Sequence, residues 1–437
     1  MYTATADHAF APCVHATRKS CRMSRAIDVA VIGGGLLGLA TARALLRTGP
    51  DLSVTVLEKE AHWGAHQSGH NSNVIHSGLY YAPGSLKARL ARAGGEEMIR
   101  YCEQHDVPVK RTGKLVVATS TAQLPGLDAL AERGRANGVT VRRLSRGEFA
   151  EREPHVAGVA ALSVADTAMT DFGQVCRALA AELTELGAEL RTQSPALSFD
   201  TEGDRTVIRT PREELRARIL VNCAGLHSDK IAAAAGDRPT VRIMPFRGEY
   251  AEVRPGRRGL INNPVYPVPD PELPFLGVHI TPMLDGTVHV GPNAVPALAR
   301  EGYRWRDVEP RLLGELLRDP ALRGLARRFW RHGVTEITRS LVWPLFVREV
   351  RRLVPAIESR DMRRHGSGVR AQAVTADGQL VDDFIINRTP RAVHVLNAPS
   401  PAATSSLHIG SRIAADVFEQ LGHEDAARAA REESAAT

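Results

Sequence analysis

The chain has 437 residues, a formal net charge of +7, 43% hydrophobic and 24% charged residues, which suits two or three domains with ordinary globular cores and excludes disordered and fibrous classes. No run reaches the roughly 18 uninterrupted apolar residues of a membrane span, because the most hydrophobic stretch, Val29 to Leu46, is broken by glycines and an arginine. The basic residues are scattered and not interleaved with aromatics, which argues against a nucleic-acid surface and fits attraction of an acidic small molecule.

Residues 1–25 contain Arg18, Lys19, Arg22 and Arg25 but no apolar block of the kind a secretory signal needs. They are expected to form a disordered tail, with Met23 an alternative start. The cysteines, at 13, 21, 102, 176 and 223, are odd in number and form no CxxC pair. That usage fits a reducing, cytoplasmic setting without a disulfide framework.

Asp28 to Ile32 reads as a short β-branched strand, Gly33-Gly-Gly-Leu-Leu-Gly38 as a glycine turn, Leu39 to Arg47 as a helix, and Ser53 to Leu57 as a second strand ending in Glu58. In that order these make a dinucleotide-binding βαβ unit. Gly33 permits the tight turn, Gly35 lets backbone approach a pyrophosphate, and Gly38 lets the helix pack on the sheet with its N-terminus toward the phosphates. Glu58, about 20 residues past Gly38, is placed to accept hydrogen bonds from ribose hydroxyls, with Lys59 beside it.

HQSGHNSNVIHSGLYYAPGSLKA, residues 66–88, follows directly. Its histidines at 66, 70 and 76 suggest a metal, but His66 and His70 converge only on a helix and the intervening residues favour a loop; no metal is expected. The segment is better placed to run back along an extended dinucleotide. His66, Ser68, Asn71, Ser72 and Asn73 are its candidate contacts.

A helix over Phe172 to Leu186 leads into a strand around Glu189 to Phe199, which carries Ala196. Ile219 to Gly225 reads as a buried strand whose end, Ala224 and Gly225, leaves room for a nucleotide. Between about 236 and 350 the texture turns to short, Pro-separated strands (247–253, 276–281, 287–291), which predicts an antiparallel sheet; helices follow at Pro310 to Leu317 and Pro320 to Trp330. The loop Asn397 to Ser406 feeds a helix reaching Leu421, placing free N–H groups and a positive dipole end near Ser400, Ala402, Ala403 and Thr404. Residues after Glu424 read as a frayed end.

These elements predict an α/β chain, α+β overall: a Rossmann-like FAD-binding domain (26–100, 155–235 and 355–422) with an inserted antiparallel-sheet substrate domain (101–154 and 236–354), and tails at 1–25 and 423–437.

Together with residues 66–88, the blocks RGEY (247–250), LGVHIT (276–281), VGPNAV (290–295), REGY (300–303), SGVRAQ (367–372), LVDDF (380–384) and NAPSPAATSSLHIG (397–410) span nearly the whole chain after residue 25. The sequence resembles the D-amino-acid oxidase/glycerol-3-phosphate dehydrogenase superfamily of FAD proteins, and within it the L-2-hydroxyglutarate oxidase/dehydrogenase family. It departs from that pattern at Asn73, where the family more often has Gly, at Ala82, where it has Lys, and near Met283, where it has Arg.

The resemblance implies FAD as cofactor and oxidation of L-2-hydroxyglutarate to the 2-oxo acid: hydride leaves Cα for flavin N5, the hydroxyl proton goes to a base, and electrons pass to oxygen or a quinone, the latter implying peripheral contact with the inner membrane. Histidine suits the base, with an ordinary pKa of about 6.5. His76 and His279 are both candidates, and the sequence does not choose between them. A dicarboxylate calls for cations; Arg370 comes first, and Arg247, equally able to make a structural ion pair, second. The rival reading is another superfamily member, a glycerol-3-phosphate dehydrogenase or an amino-acid or amine oxidase.

Overall fold

The computed structural model describes residues 24–269 and 277–435, without the side chains of 24, 320–321 and 326–332. The tail expected over residues 1–25 lies almost wholly outside the described residues, as does Leu276. Cys102, Cys176 and Cys223 are free thiols.

Two sheets organise the chain. In the first, eight-stranded sheet, Ser24–Ile32 runs parallel to Val54–Leu57 on one side and to Glu214–Asn222 on the other. Val54–Leu57 pairs in parallel with Glu189–Arg191, and Glu214–Asn222 with Ala392–Asn397. The central strands are apolar because both faces are covered. Val29, Val31, Val56 and Val221 pack with the helices Leu36–Thr48, Phe172–Glu185 and Ser406–Leu421 in one core.

The expected strand over 189–199 is two strands at opposite edges of this sheet: Glu189–Arg191 beside Val54–Leu57, and Ser198–Glu202 in an antiparallel hairpin with Arg205–Arg209. Between them Gln193 takes a left-handed φ of 51° and Pro195 lacks an N–H, so a continuous ladder is interrupted.

The second, nine-stranded sheet is antiparallel apart from the pairing of Val265–Pro267 with Lys114–Ala118. Its spine is the long pair Val241–Val253 and Met362–Thr375, twelve registered residue pairs broken once at a bulge near Tyr250. Two of its strands, Ala160–Val164 and Met362–Thr375, come from stretches that chain order places with the nucleotide-binding unit, and their hydrogen-bond partners lie in this second sheet.

The helix Pro320–Leu341 is longer than expected, and Trp343–Leu353 follows it. The expected frayed end is the helix Glu424–Ala435, which packs on Ser406–Leu421 through Ala427 and Ala430, both 1% exposed or less.

Candidate active site

The glycine turn forms as the βαβ unit requires. Gly33 has φ +108°, and a Cβ on Gly38 would lie 1.9 Å from the Gly33 carbonyl oxygen, so the helix meets the turn with no space for a side chain. Glu58 is buried and both of its oxygens are oriented: Gly34 N–H donates to Oε2 and Glu60 N–H to Oε1, each at 2.8 Å. Each oxygen keeps a lone pair for a further donor. The first helix has no cap of its own; Ser68 Oγ accepts Leu36 N–H at 3.0 Å from the returning segment.

That segment is held by its own polar side chains. Asn71 Nδ2 donates to the carbonyls of Gln67 and Ser68, and its Oδ1 accepts Asn73 N–H. Asn73 stands at φ +57°, a conformation open to Asn as it is to Gly. Ser72 is half-buried on the same loop. Ala224 and Gly225 follow the buried strand end, where a Cβ on Gly225 would meet Gln67 Nε2 at 2.7 Å. Ala196 and Ala224 both pack against the apolar cluster of Ile27, Ala30 and Leu220.

Lys59 and His66 sit in a polar cluster with Glu60, His227, Glu301 and Tyr303. Lys59 Nζ lies 2.6 Å from Glu301, 2.9 Å from His66 and also against Glu60, while His66 Nδ1 contacts Tyr303 Oη at 2.9 Å. Glu60, His66 and Glu301 could converge on a metal, but the Lys59 ammonium already bonds to each of them. This cluster explains REGY: Arg300 forks onto Asp229 at 2.7 and 2.9 Å, Glu301 takes Lys59 and His227, and Tyr303 reaches His66. The motif straps the second sheet's loop onto the nucleotide-binding unit.

His76 ends the returning segment, its N–H donating to Thr404 Oγ1 at 3.0 Å. Ser400 Oγ meets Tyr81 Oη at 3.1 Å. Ala402, Ala403 and Thr404 lead into the helix Ser406–Leu421, whose N-terminus no side chain caps. The loop and the histidine are thus joined where the dipole end is positive.

The second sheet supplies the opposite wall. Val265 pairs with both Leu115 and Ile280, and alternate residues face opposite sides, so Tyr266, His279 and Lys114 share the other face. His279 and Tyr266 stack with ring centroids 4.1 Å apart. His279 Nδ1 lies 3.1 Å from the Gly277 carbonyl; a carbonyl only accepts, so Nδ1 carries the proton and Nε2 keeps its lone pair. Burial pushes His76 down to about 3, helped by Lys114 and His279. Burial likewise takes His279 down to about 4, with Arg370 and Lys114 adding to the effect.

Arg370 and Tyr250 complete this face, burial lowering the arginine and Tyr250 opposing it. His76, Tyr250 and Arg370 are desolvated yet retain accessible surface, as groups lining an interior cleft do. Arg247 does not join them. It is 1% exposed, within 3.2 Å of Glu249, donates to Gly302 O and stacks on Trp305 at 4.3 Å.

Comparison with known proteins bears directly on this arrangement. A model of the FAD dependent oxidoreductase family matches residues 28–416. The chain is 43% identical to the L-2-hydroxyglutarate dehydrogenase of Indibacter alkaliphilus over 388 residues, 88% of this chain and 97% of that protein. The chain belongs to the L-2-hydroxyglutarate dehydrogenase family of FAD-dependent oxidoreductases.

Within this family it is also 41% identical to the human mitochondrial protein, over 90% of this chain and 89% of that one, and 40% identical to that of Escherichia coli K12, over 89% and 93%. Among solved structures, the L-alpha-glycerophosphate oxidase of Mycoplasma pneumoniae with FAD bound superposes with a TM-score of 0.73 at 22% identity, covering 91% of this chain and 95% of that one. Glycine oxidase from Geobacillus kaustophilus gives 0.67 at 20%, covering 90% and 95%. At such identities these two establish the fold alone.

The residues fit FAD. Glu58 is buried with acceptor capacity to spare, glycines line the turn where backbone must approach a pyrophosphate, and the uncapped start of Ser406–Leu421 offers amides beside His76.

Lys114, Tyr80, Tyr250, Tyr266, Gln67 and Trp63 are not among the site residues to which the sequence points. Lys114 carried no motif signal. Gln67, whose Oε1 accepts Ala371 N–H at 3.0 Å, ties the returning segment to the strand bearing Arg370, and Trp63 packs so closely on Gly34 that a Cβ there would lie 2.4 Å from its ring.

Proposed function

We propose that this chain oxidises L-2-hydroxyglutarate to 2-oxoglutarate. The observation that carries the reading is the meeting, on one face of the second sheet, of a neutral, tautomerically fixed His279 with the cation Arg370, opposite His76 and the uncapped helix start. The extent of likeness to L-2-hydroxyglutarate dehydrogenases supports the same substrate.

Bound FAD supplies the acceptor for the hydride leaving Cα. The chain's own part is to fix the substrate and take the hydroxyl proton. His279 Nε2 receives that proton, because Nδ1 is committed to Gly277 O and burial keeps the ring neutral. Arg370 holds the carboxylate next to the reacting carbon with its planar fork. Negative charge developing beside the uncapped helix N-terminus is stabilised by the dipole there.

The electrons then pass to oxygen or a quinone. Contact with a membrane surface is supported by Leu341, Val342 and Leu345, all exposed where two arginine-rich helices meet; among the described residues no helix is long and apolar enough to cross a membrane. The deciding experiment is anaerobic addition of L-2-hydroxyglutarate to the flavin-loaded protein. Its visible absorbance should bleach, whereas glycerol 3-phosphate and amino acids leave it unchanged; bleaching only by one of the latter would overturn the reading.

A further inference from the structure

Lys114 is a buried cation that no described residue neutralises. It opens the strand Lys114–Ala118, is 3% exposed, and among the described residues no carboxylate reaches it. Its ammonium lies 4.3 Å from the centroid of the Tyr80 ring and 5.0 Å from that of Tyr266. Taking an unpaired ammonium out of water is costly, and two aromatic faces offset only part of that cost. The balance is of the size that a ligand's negative charge would offset.

The surroundings match an anionic, hydrogen-bonding ligand. The hydroxyls of Ser77, Tyr80, Tyr266 and Thr281 are buried and make no well-directed hydrogen bond, although Tyr266 and Thr281 lie close together. Unsatisfied buried donors are uncommon in folded proteins, and here the hydroxyls of Ser77 and Tyr80, in the segment bearing His76, have no partner among the described residues, while those of Tyr266 and Thr281 have at most each other. Lys114 and His279 both contact the Tyr266 ring, so ammonium and imidazole are no farther apart than the sum of their distances to it. Arg370 and Lys114 both act on His279, which gives one face two cations for a substrate with two carboxylates.

We infer that Lys114 receives the carboxylate remote from the reacting carbon, and that it sets the preference for a diacid over a 2-hydroxy monoacid. The inference rests on the reading of the chain as an L-2-hydroxyglutarate-oxidising enzyme. Arg370, with its bidentate fork, holds the carboxylate that must be fixed precisely next to Cα; the compact ammonium suits the far end of a flexible chain.

The test compares the flavin-loaded wild type with Lys114→Met and Lys114→Arg. Calorimetric binding of glutarate and of pentanoate, neither of which can be oxidised at C2 for want of a hydroxyl, is measured beside turnover of L-2-hydroxyglutarate and L-2-hydroxypentanoate. Wild type should bind glutarate about 10- to 100-fold more tightly than pentanoate, and Lys114→Met should lose that factor while pentanoate binding stays within about threefold. Lys114→Arg should keep most of the preference. The inference is overturned if wild type binds both acids equally, if Lys114→Met leaves glutarate unaffected, or if it weakens both acids alike. Equal wild-type binding of the two acids overturns the inference even if neither variant folds. Failure of the underlying functional reading would look different: wild type would then neither bind glutarate nor turn over L-2-hydroxyglutarate.

Discussion

Arg247 and Arg370 lie one register step apart on paired strands and point to opposite faces of the sheet. Phe246 pairs with Arg370 and Arg247 with Val369, and alternation puts one guanidinium with Tyr250 and His279 and the other against Glu249, Gly302 and Trp305. Their substitutions should therefore fail in different ways. Arg370→Met is expected to raise KM for L-2-hydroxyglutarate about 100-fold and to leave FAD content unchanged. Arg247→Met leaves the partly buried Glu249 with Asn293 and Ser340 but without its charge partner, and should lower stability by about 3 kcal/mol. Denaturant melts and steady-state kinetics on both variants check this, and a normal melt for Arg247→Met with a raised KM would reverse the assignment.

The turn at Gly33–Gly38 makes a cofactor prediction independent of catalysis. A methyl at residue 38 would occupy the position of the Gly33 carbonyl, and relief requires moving the helix that presents its N-terminus to the phosphates. Gly38→Ala should be purified largely without flavin absorbance, whereas Gly324→Ala, where a Cβ meets open space, should be as yellow as wild type. Full flavin content in Gly38→Ala would show that the turn does not govern cofactor retention.

The contrast between Gly38 and Lys114 shows what was legible in the sequence. Gly38 is fixed by neighbours within one βαβ unit, so spacing along the chain carried its role. The helix start after Ser405 was readable for the same reason, as was the alternation in 247–253. Lys114 acquires its meaning from Tyr80, Tyr266 and His279, which other strands and loops deliver to one sheet face. Such convergence depends on register between distant segments. The same limit holds for Met362–Thr375: its sequence neighbours suggest the nucleotide-binding unit, and its hydrogen-bond partner is Val241–Val253 of the second sheet.

Burial of two neutral histidines should appear in the pH dependence of stability. His76 and His279 are pushed to about 3 and about 4 in the folded chain against about 6.5 unfolded. Between those limits the unfolded state binds more protons, so stability is complete above about pH 6.5 and declines as pH falls toward 4. Denaturant midpoints should drop from pH 7 to pH 5, and the drop should shrink in His76→Gln and His279→Gln. A midpoint rising on acidification would contradict the neutral assignment.

The choice of base makes a kinetic prediction. With Nδ1 held by Gly277 O, His279→Gln should cost about 10²–10⁴-fold in kcat with little change in KM. His76→Gln should cost less, because its role in the fold is carried by its backbone N–H on Thr404. Pre-steady-state bleaching rates separate the two, and a larger loss for His76→Gln would move the base to that residue.

The profile of kcat/KM against pH reports groups of the free enzyme and so tests the two walls of the site together. The acid limb should lie near pH 4, where His279 gains its proton, rather than near 6.5. Burial takes Lys114 down to about 7, so on the alkaline side the ammonium loses its charge near neutrality, substrate binding weakens and kcat/KM falls. Groups facing Lys114 are Tyr80 and Tyr266, both raised by burial and thus neutral there, together with His76 and His279, already neutral. None of these supplies a competing transition in that range. Lys114→Arg, which stays protonated, should move the alkaline limb upward by more than one pH unit and leave the acid limb in place. An alkaline limb that stays put in this variant would belong to another group and would remove Lys114 from the binding of substrate.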